Sequence, residues 1–375
     1  MAKILIIGDP RSPHDQSRGL IGHRAGHQIY WFSSSEINLP NVVGYSIPNF
    51  GQGNMIARNV YKLIYLNKTL RQVQPDIVHV HYAQTELMVL ALMNFHPLVV
   101  TIKGGDILPD QGYRGLSALS VRLLLEHADC ITSKSEYLDR ALINIDDYRE
   151  KIRRITWGLD LNQFHPNRNV SALRKRYNIP TDDLVFFDPR LATPFYNKHV
   201  ILKAFSNYLR DGSKSATLLV AELFADPKYQ NRLNQQARTL GISEKVRFVG
   251  AITYNEMPDY YAAADITISV PPSDGFPQTI YEAFACGSFL VLSDLPQYSK
   301  EFEDRITVRM VPVGDEQALT EALVWAVSVP KIRERAKRKG VQYVKEHADF
   351  NVQAKLMNGV YNELLLGDKN SKEIE

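Results

Sequence analysis

Asp274 and Glu282 are the residues of this chain whose types and spacing point most directly to chemistry. The stretch Ser273-Asp-Gly-Phe-Pro-Gln-Thr-Ile-Tyr-Glu-Ala-Phe-Ala-Cys-Gly287 puts the first carboxylate in a loop and the second on a helix. Pro277 suits the first helical position, because its missing N–H is one that a helix start leaves unpaired. The main-chain N–H groups of Gln278 and Thr279 then point out of the helix start, where they can hold an anion such as a diphosphate. Gln278 and Glu282 share a helix face at i and i+4, and the helical rise sets Glu282 roughly 6–8 Å deeper than those donors. That is about the step from a diphosphate to the ribose beside it, whose hydroxyls a carboxylate accepts. The plain alternative is an ordinary βαβ unit with Asp274 in a turn and Glu282 on a solvated face.

The elements that must position these residues are short apolar runs alternating with amphipathic segments. Asp265–Val270 is apolar and β-branched like a buried strand and is stopped by Pro271-Pro272, and Phe289–Ser293 is the next such run. The same pattern predicts strands near 3–8, 28–33, 76–81, 97–102, 129–132 and 152–156, then 184–188, 216–220, 246–250 and 306–311. Helices are expected near 55–73, 115–127, 135–144, 198–210, 229–240, 278–286, 315–328 and 351–366. This is α/β architecture with parallel sheets, and 375 residues suffice for two Rossmann-like halves joined near 160–182.

Composition narrows the function classes. With 44 basic and 41 acidic residues the formal charge is +3, which gives no reason to expect nucleic acid as a partner. Cys130 and Cys286 stand in apolar settings without the spacing of a metal site, as small core residues in a reducing compartment do. Lys3–Ile7 reads as a first strand, not a signal peptide, and no apolar run is long enough to span a bilayer. A cytoplasmic location is expected, and the N-x-S/T matches at Asn67 and Asn169 carry little meaning. Helix 55–73 carries Arg58, Lys62, Lys68 and Arg71 among Tyr, Leu and Ile, a pattern that fits either docking on an anionic membrane or packing on its own sheet. The basic run Lys331–Lys345 reads as one solvated helix face.

The two-acid segment resembles the nucleotide-sugar site of the retaining glycosyltransferases of family four (glycosyl transferases group one), with Glu282-Ala-Phe-Ala-Cys-Gly287 matching the family's usual ending. Here Asp274 stands where Glu is more common. Pro75-Asp-Ile-Val-His-Val-His81, Ala128-Asp-Cys-Ile-Thr-Ser133, Trp157-Gly-Leu-Asp160 with Phe164 and Pro166, and Tyr260-Tyr-Ala-Ala-Ala-Asp265 resemble further family landmarks in their order. The resemblance implies the GT-B fold, two Rossmann-like parallel-sheet domains facing a central cleft. It sets an acceptor-side domain at 1–165, joined by a C-terminal helix at about 351–375, and a nucleotide-sugar domain at 166–350.

It also implies roles. Arg190 and Lys198 match the cations that neutralise the donor diphosphate as the leaving group gains charge, the bare alternative being two solvated surface cations. Asp274, Gly275, Phe276, Pro277, Gln278, Thr279 and Glu282 line the donor, and Gly250-Ala251 closes a strand where backbone can meet a uracil-like edge. Val220-Ala-Glu-Leu-Phe224 replaces a Gly-rich turn common in the family, which leaves Glu222 without an inherited role. On the acceptor side stand Gly8, Asp9 and His14, the last either a general base or a loop histidine. Lys103 replaces a frequent His and suits an anionic acceptor; Asp106 either touches the acceptor or caps a helix. Gly8-Asp-Pro-Arg-Ser-Pro-His14 lacks the GxGxxG of nicotinamide or flavin sites. His79 and His81 alternate on a strand, so one of them is expected to be buried, and both to be structural. No Asp-x-Asp occurs, so neither a metal nor another cofactor is expected. The expected reaction is metal-independent transfer of a hexose, with retention, from a UDP-sugar or else a GDP-sugar to a hydroxyl acceptor. A sugar-nucleotide epimerase or a non-catalytic nucleotide-sugar module are the alternatives.

Overall fold

The computed structural model describes residues 1–47, 55–84, 87–108, 113–156, 158–211, 214–223 and 225–372, of which 55–58 and 368–372 by main chain only. Trp157, Phe224 and the Arg58 side chain, named above, therefore lie outside the described residues. The chain divides into two compact units, Met1–Gly158 with Phe350–Glu375, and Leu159–Asp349.

The first unit holds a seven-stranded sheet of β1 (Lys3–Ile7), β2 (Gln28–Ser33), β3 (Val42–Ser46), β4 (Ile77–Val80), β5 (Leu98–Thr101), β6 (Cys130–Ser133) and β7 (Ile152–Arg154) in the order β3-β2-β1-β4-β5-β6-β7. The second holds six strands, β8 (Leu184–Asp188), β9 (Ala216–Val220), β10 (Val246–Phe248), β11 (Ile266–Ser269), β12 (Phe289–Ser293) and β13 (Arg309–Val311), in the order β10-β9-β8-β11-β12-β13. Neighbouring strands pair in parallel in both sheets. Parallel sheets are covered on both faces, so their central strands read as continuous apolar runs, and β4, β5, β6, β9, β11 and β12 are buried at every position.

That two-sided cover corrects the reading of the strand histidines: His79 and His81 are both fully buried. His79 is satisfied by the hydroxyls of Tyr361 and Thr101, each at 2.7 Å. The edge strand β3 escapes the apolar pattern because it is half exposed and interrupted by Gly44, where a Cβ would lie 2.9 Å from Ile37. Helix Phe350–Lys372 packs Met357, Val360 and Tyr361 against Ile4, Ile6 and Ile77 of the first sheet. Helix Met55–Val73 buries Leu66 and Leu70 in the core on that sheet's other face. The basic run is an entire helix, Pro330–His347, whose inner face reaches the helix that carries Glu282.

Each strand order reverses once, between β1 and β4 and between β8 and β11. In open parallel sheets the strand ends beside such a reversal diverge and leave a crevice for ligands. Gly8-Asp9 follows β1, Arg190 follows β8, and the Asp274 loop follows β11.

Close packing behind the helix that carries Glu282 gives one stability prediction. Gly340 is a helix-interior glycine at which a Cβ would sit 2.3 Å from the ring of buried Phe284. Gly340→Ala gains helix propensity, worth about 1 kcal/mol, but overpacks the core, which costs about 1–3 kcal/mol. Denaturant unfolding should show net destabilisation, and a variant more stable than wild type would contradict this packing.

Candidate active site

The second-unit site is assembled from three strand ends. β8 ends in Asp188, and after Pro189 the Arg190 side chain reaches the loop beyond β11. Its Nη2 donates to Asp274 Oδ2 at 2.7 Å, both side chains being about nine-tenths buried. The guanidinium also lies over the Tyr196 ring at 4.5 Å and points Nη1 toward Thr279 Oγ1 at 3.5 Å. Arg190 and Asp274 are thus not solvated surface charges. Lys198 Nζ donates to Asp188 Oδ2 at 2.7 Å, again fully inside the protein. Asn197 precedes Lys198 in the left-handed region and donates to the Val270 carbonyl at 2.9 Å, tying this helix start to the end of β11.

The loop Gly275–Pro277 is held under strain. Phe276 has φ of +69°, costly for a bulky side chain. Its buried ring packs against Tyr281, Tyr298 and Phe302, which holds that conformation. Phe276 therefore offers main chain rather than ring to a ligand. Pro277 is the N-cap of helix Gln278–Ala285 rather than its first residue, a shift of one position that keeps the Gln278 and Thr279 N–H groups in the first turn, with no side-chain cap from Pro277.

Glu282 lies inside the protein, so the solvated-face alternative fails. Tyr261 Oη donates to Glu282 Oε2 at 2.8 Å. Burial pushes the carboxyl up to about 7, against the Tyr261 hydrogen bond and the Arg190 charge. Gly250 has φ of +70°, and its N–H and carbonyl are both engaged by Glu222, the N–H by a carboxylate oxygen at 3.2 Å and the carbonyl by the Glu222 N–H at 2.8 Å. Glu222 thus supports the strand end, and Ala251 beyond it is exposed.

In the first unit a cavity of about 410 Å³ opens at the ends of β1, β2 and β4 and includes Gly8, Asp9, Asp15, Ser33, His81 and Lys103 in its lining. Lys103 Nζ donates to both oxygens of fully buried Asp15, at 2.7 and 2.9 Å. Asp9 is closed on Arg11. His14 is half-buried in the first turn of helix Pro13–Gly19 and is not among the cavity's described lining. Burial, with Lys134 and Lys103 nearby, pushes its imidazole down to about 4, so it is neutral at physiological pH. Asp106 accepts the N–H groups of Ala83, Lys103 and Gly104 and shapes the turn that carries Lys103.

Asp15, Asp188 and Tyr261 escaped the sequence analysis. Each is a partner from another element, and only one had a signal. A Lys replacing a His at position 103 calls for a carboxylate nearby. Among the described residues no group of three or more His, Cys, Asp or Glu is placed to hold a metal ion, and no helix is long and apolar enough to cross a membrane.

Residues 14–163 match the family described as Glycosyltransferase Family 4, and residues 169–343 match Glycosyl transferases group 1. This chain belongs to the group 1 glycosyltransferases of GT-B fold. An alpha-monoglucosyldiacylglycerol synthase of Streptococcus pneumoniae is 25% identical over 76% of this chain and 67% of its own length. A D-inositol 3-phosphate glycosyltransferase 2 of Catenulispora acidiphila is 30% identical over 38% of this chain and 34% of its own length. The match thus spans between about a third and two thirds of these curated relatives. In fold, this glycosyltransferase is similar to Anabaena HepE, solved with UDP and glucose (TM-score 0.80, 18% identity, 97% of this chain and 100% of that one). It is also similar to sucrose-phosphate synthase of Thermosynechococcus elongatus (TM-score 0.82, 16% identity, 98% and 100%).

The raised Glu282 carboxyl sets a pH signature. Its pKa stands above the ordinary value of 4.5, so its contribution to stability is full below that pH and is lost as pH rises through about 7. Glu282→Gln, which cannot ionise, should gain on wild type by about 3 kcal/mol at most between pH 5 and pH 8. Thermal melts at the two pH values measure this, and a gap that does not change with pH would contradict the assignment.

Proposed function

We propose that this glycosyltransferase moves a hexose from a nucleotide diphosphate-sugar, UDP before GDP, to a hydroxyl acceptor with retention and without a metal ion. The observation that carries the reading is one constellation at the β8–β11 reversal. A cation, Arg190, stands beside the start of helix Gln278–Ala285, with a carboxylate on either side, Asp274 in the loop and Glu282 behind it. HepE has been solved with UDP and with UDP-glucose, which supports UDP as first choice.

In this reading Glu282 takes the ribose hydroxyls, while Arg190 and the Gln278 and Thr279 N–H groups face the diphosphate. As the glycosidic bond breaks, the leaving nucleoside diphosphate gains negative charge, and these fixed donors stabilise it more in the transition state than before it. Asp274 pairs with Arg190 while no donor is bound, then meets hydroxyls of the transferred sugar. The acceptor lies with the first-unit residues Gly8, Asp9 and Lys103, with neutral His14 near them. Relatives named for D-inositol 3-phosphate and for the synthesis of alpha-monoglucosyldiacylglycerol support a polyol or lipid hydroxyl as the acceptor class.

Transfer should survive excess EDTA, and Arg190→Ala should lower turnover about 100-fold or more while weakening donor binding less. A strict need for Mg²⁺ or Mn²⁺ would sink the account of the diphosphate.

Asp274→Asn separates sugar contact from nucleotide contact. Transfer should fall about 10-fold or more, while calorimetry shows free UDP bound as well or more tightly, since Arg190 loses its competing carboxylate. Wild-type transfer rates in the variant would show that the loop carboxylate is structural.

A further inference from the structure

Each cation of the proposed donor site is closed onto one carboxylate, and the inner pair is sealed from solvent. Lys198 Nζ and Asp188 Oδ2 lie 2.7 Å apart with side-chain exposures of 1% and 0%. The other Asp188 oxygen accepts the Arg190 N–H at 3.1 Å. Lys198 is also the first residue of helix Lys198–Arg210, where the helix field disfavours an ammonium. Burial draws the Lys198 ammonium below its ordinary range against the pull of Asp188, and burial pushes the Asp188 carboxyl up against the pull of Lys198. The other groups facing the pair are Arg190 from the loop after β8, Glu222 from the end of β9, and Tyr229 on helix Pro227–Thr239. Each member stays charged because the other does.

An ammonium with almost no exposed surface cannot touch a donor diphosphate where it lies. We infer that Asp188 is a placeholder counter-ion: it holds the Lys198 ammonium while the donor site is empty, yields it to the arriving diphosphate, and takes up a proton from solvent. The inference rests on the donor reading above. The exchange balances: the Lys198 N–H bond to Asp188 Oδ2 breaks, an N–H bond to a phosphate oxygen forms, and the solvent proton neutralises the stranded carboxylate. No electrons change hands. Asp188 Oδ1 keeps the Arg190 N–H throughout, so the end of β8 stays in place. Asp188 is in this sense a positioning residue for both cations.

Proton linkage reads the exchange directly. The full chain is titrated with UDP-glucose, and separately with GDP-mannose, in buffers of different ionisation enthalpy. A nucleotide-sugar is the right probe because its diphosphate does not itself titrate near neutral pH. Glu282 titrates near pH 7 in the same site, so the exchange is read in a Glu282→Gln background, where the chain should take up a large fraction of one proton per nucleotide-sugar at pH 6, less as pH rises, with affinity falling in parallel. Lys198→Met leaves Asp188 already protonated and should abolish the uptake and weaken binding about tenfold or more. The double variant Lys198→Met with Asp188→Asn carries no buried charge at this place, folds without the strain of a stranded carboxylate, and should behave alike. Binding with no buffer dependence in the Glu282→Gln background, or unchanged uptake when Lys198→Met or the Lys198/Asp188 pair is added to it, overturns the exchange while leaving the donor reading intact. A folded wild type that binds neither nucleotide-sugar overturns the donor reading, and the exchange with it.

Discussion

The ion pair between Arg190 and Asp274 joins the end of β8 to the loop beyond β11, and the second-unit site takes its shape from that closure. Without it the guanidinium, stacked on Tyr196, and the loop carboxylate would each be a mostly buried charge that has lost its ion-pair partner. Removing one partner of such a pair is far more costly than the pair is worth. The neighbouring Lys198–Asp188 pair obeys the same constraint. The site is thus built from charges that must be matched within the protein while no ligand is present, and an anion entering it changes which charges are matched.

Parallel sheets decide where such charges can stand. With helices over both faces, the strands have no polar exit along their length, and ionisable residues collect at the carboxyl ends, where a strand order reverses. Asp188 closes β8, and the first unit repeats the arrangement with Lys103 beyond β5 and buried Asp15. The strained Phe276 and the αL residue Asn197 are the local price of bringing a loop and a helix start to the same strand ends.

How much of this was legible in the sequence follows from the range of each interaction. The buried strands were readable because two-sided burial writes itself as consecutive apolar residues, whereas β3 was not, being an exposed edge broken by Gly44. His79 and His81 misled because alternation predicts one buried face only for a half-covered sheet. Asp274 and Glu282 could be named from local spacing, Arg190 and Lys198 only from the resemblance to the family, and the structure brings Arg190 against Asp274. What spacing could not announce was pairing across elements: Asp15 with Lys103, 88 residues away, and Tyr261 with Glu282, 21 residues away. For Asp106 the sequence left acceptor contact and a capping role side by side, and the three N–H groups it accepts come partly from Ala83, 23 residues away, which spacing does not show.

The central claim is that the donor binds at the β8–β11 reversal. A crystal structure of the chain grown with a UDP-sugar tests it most directly. The account predicts diphosphate density beside Arg190 and the Gln278–Thr279 helix start, with the ribose on Glu282. Nucleotide density away from all three, for instance in the first-unit cavity lined by Asp15 and Lys103, would contradict it.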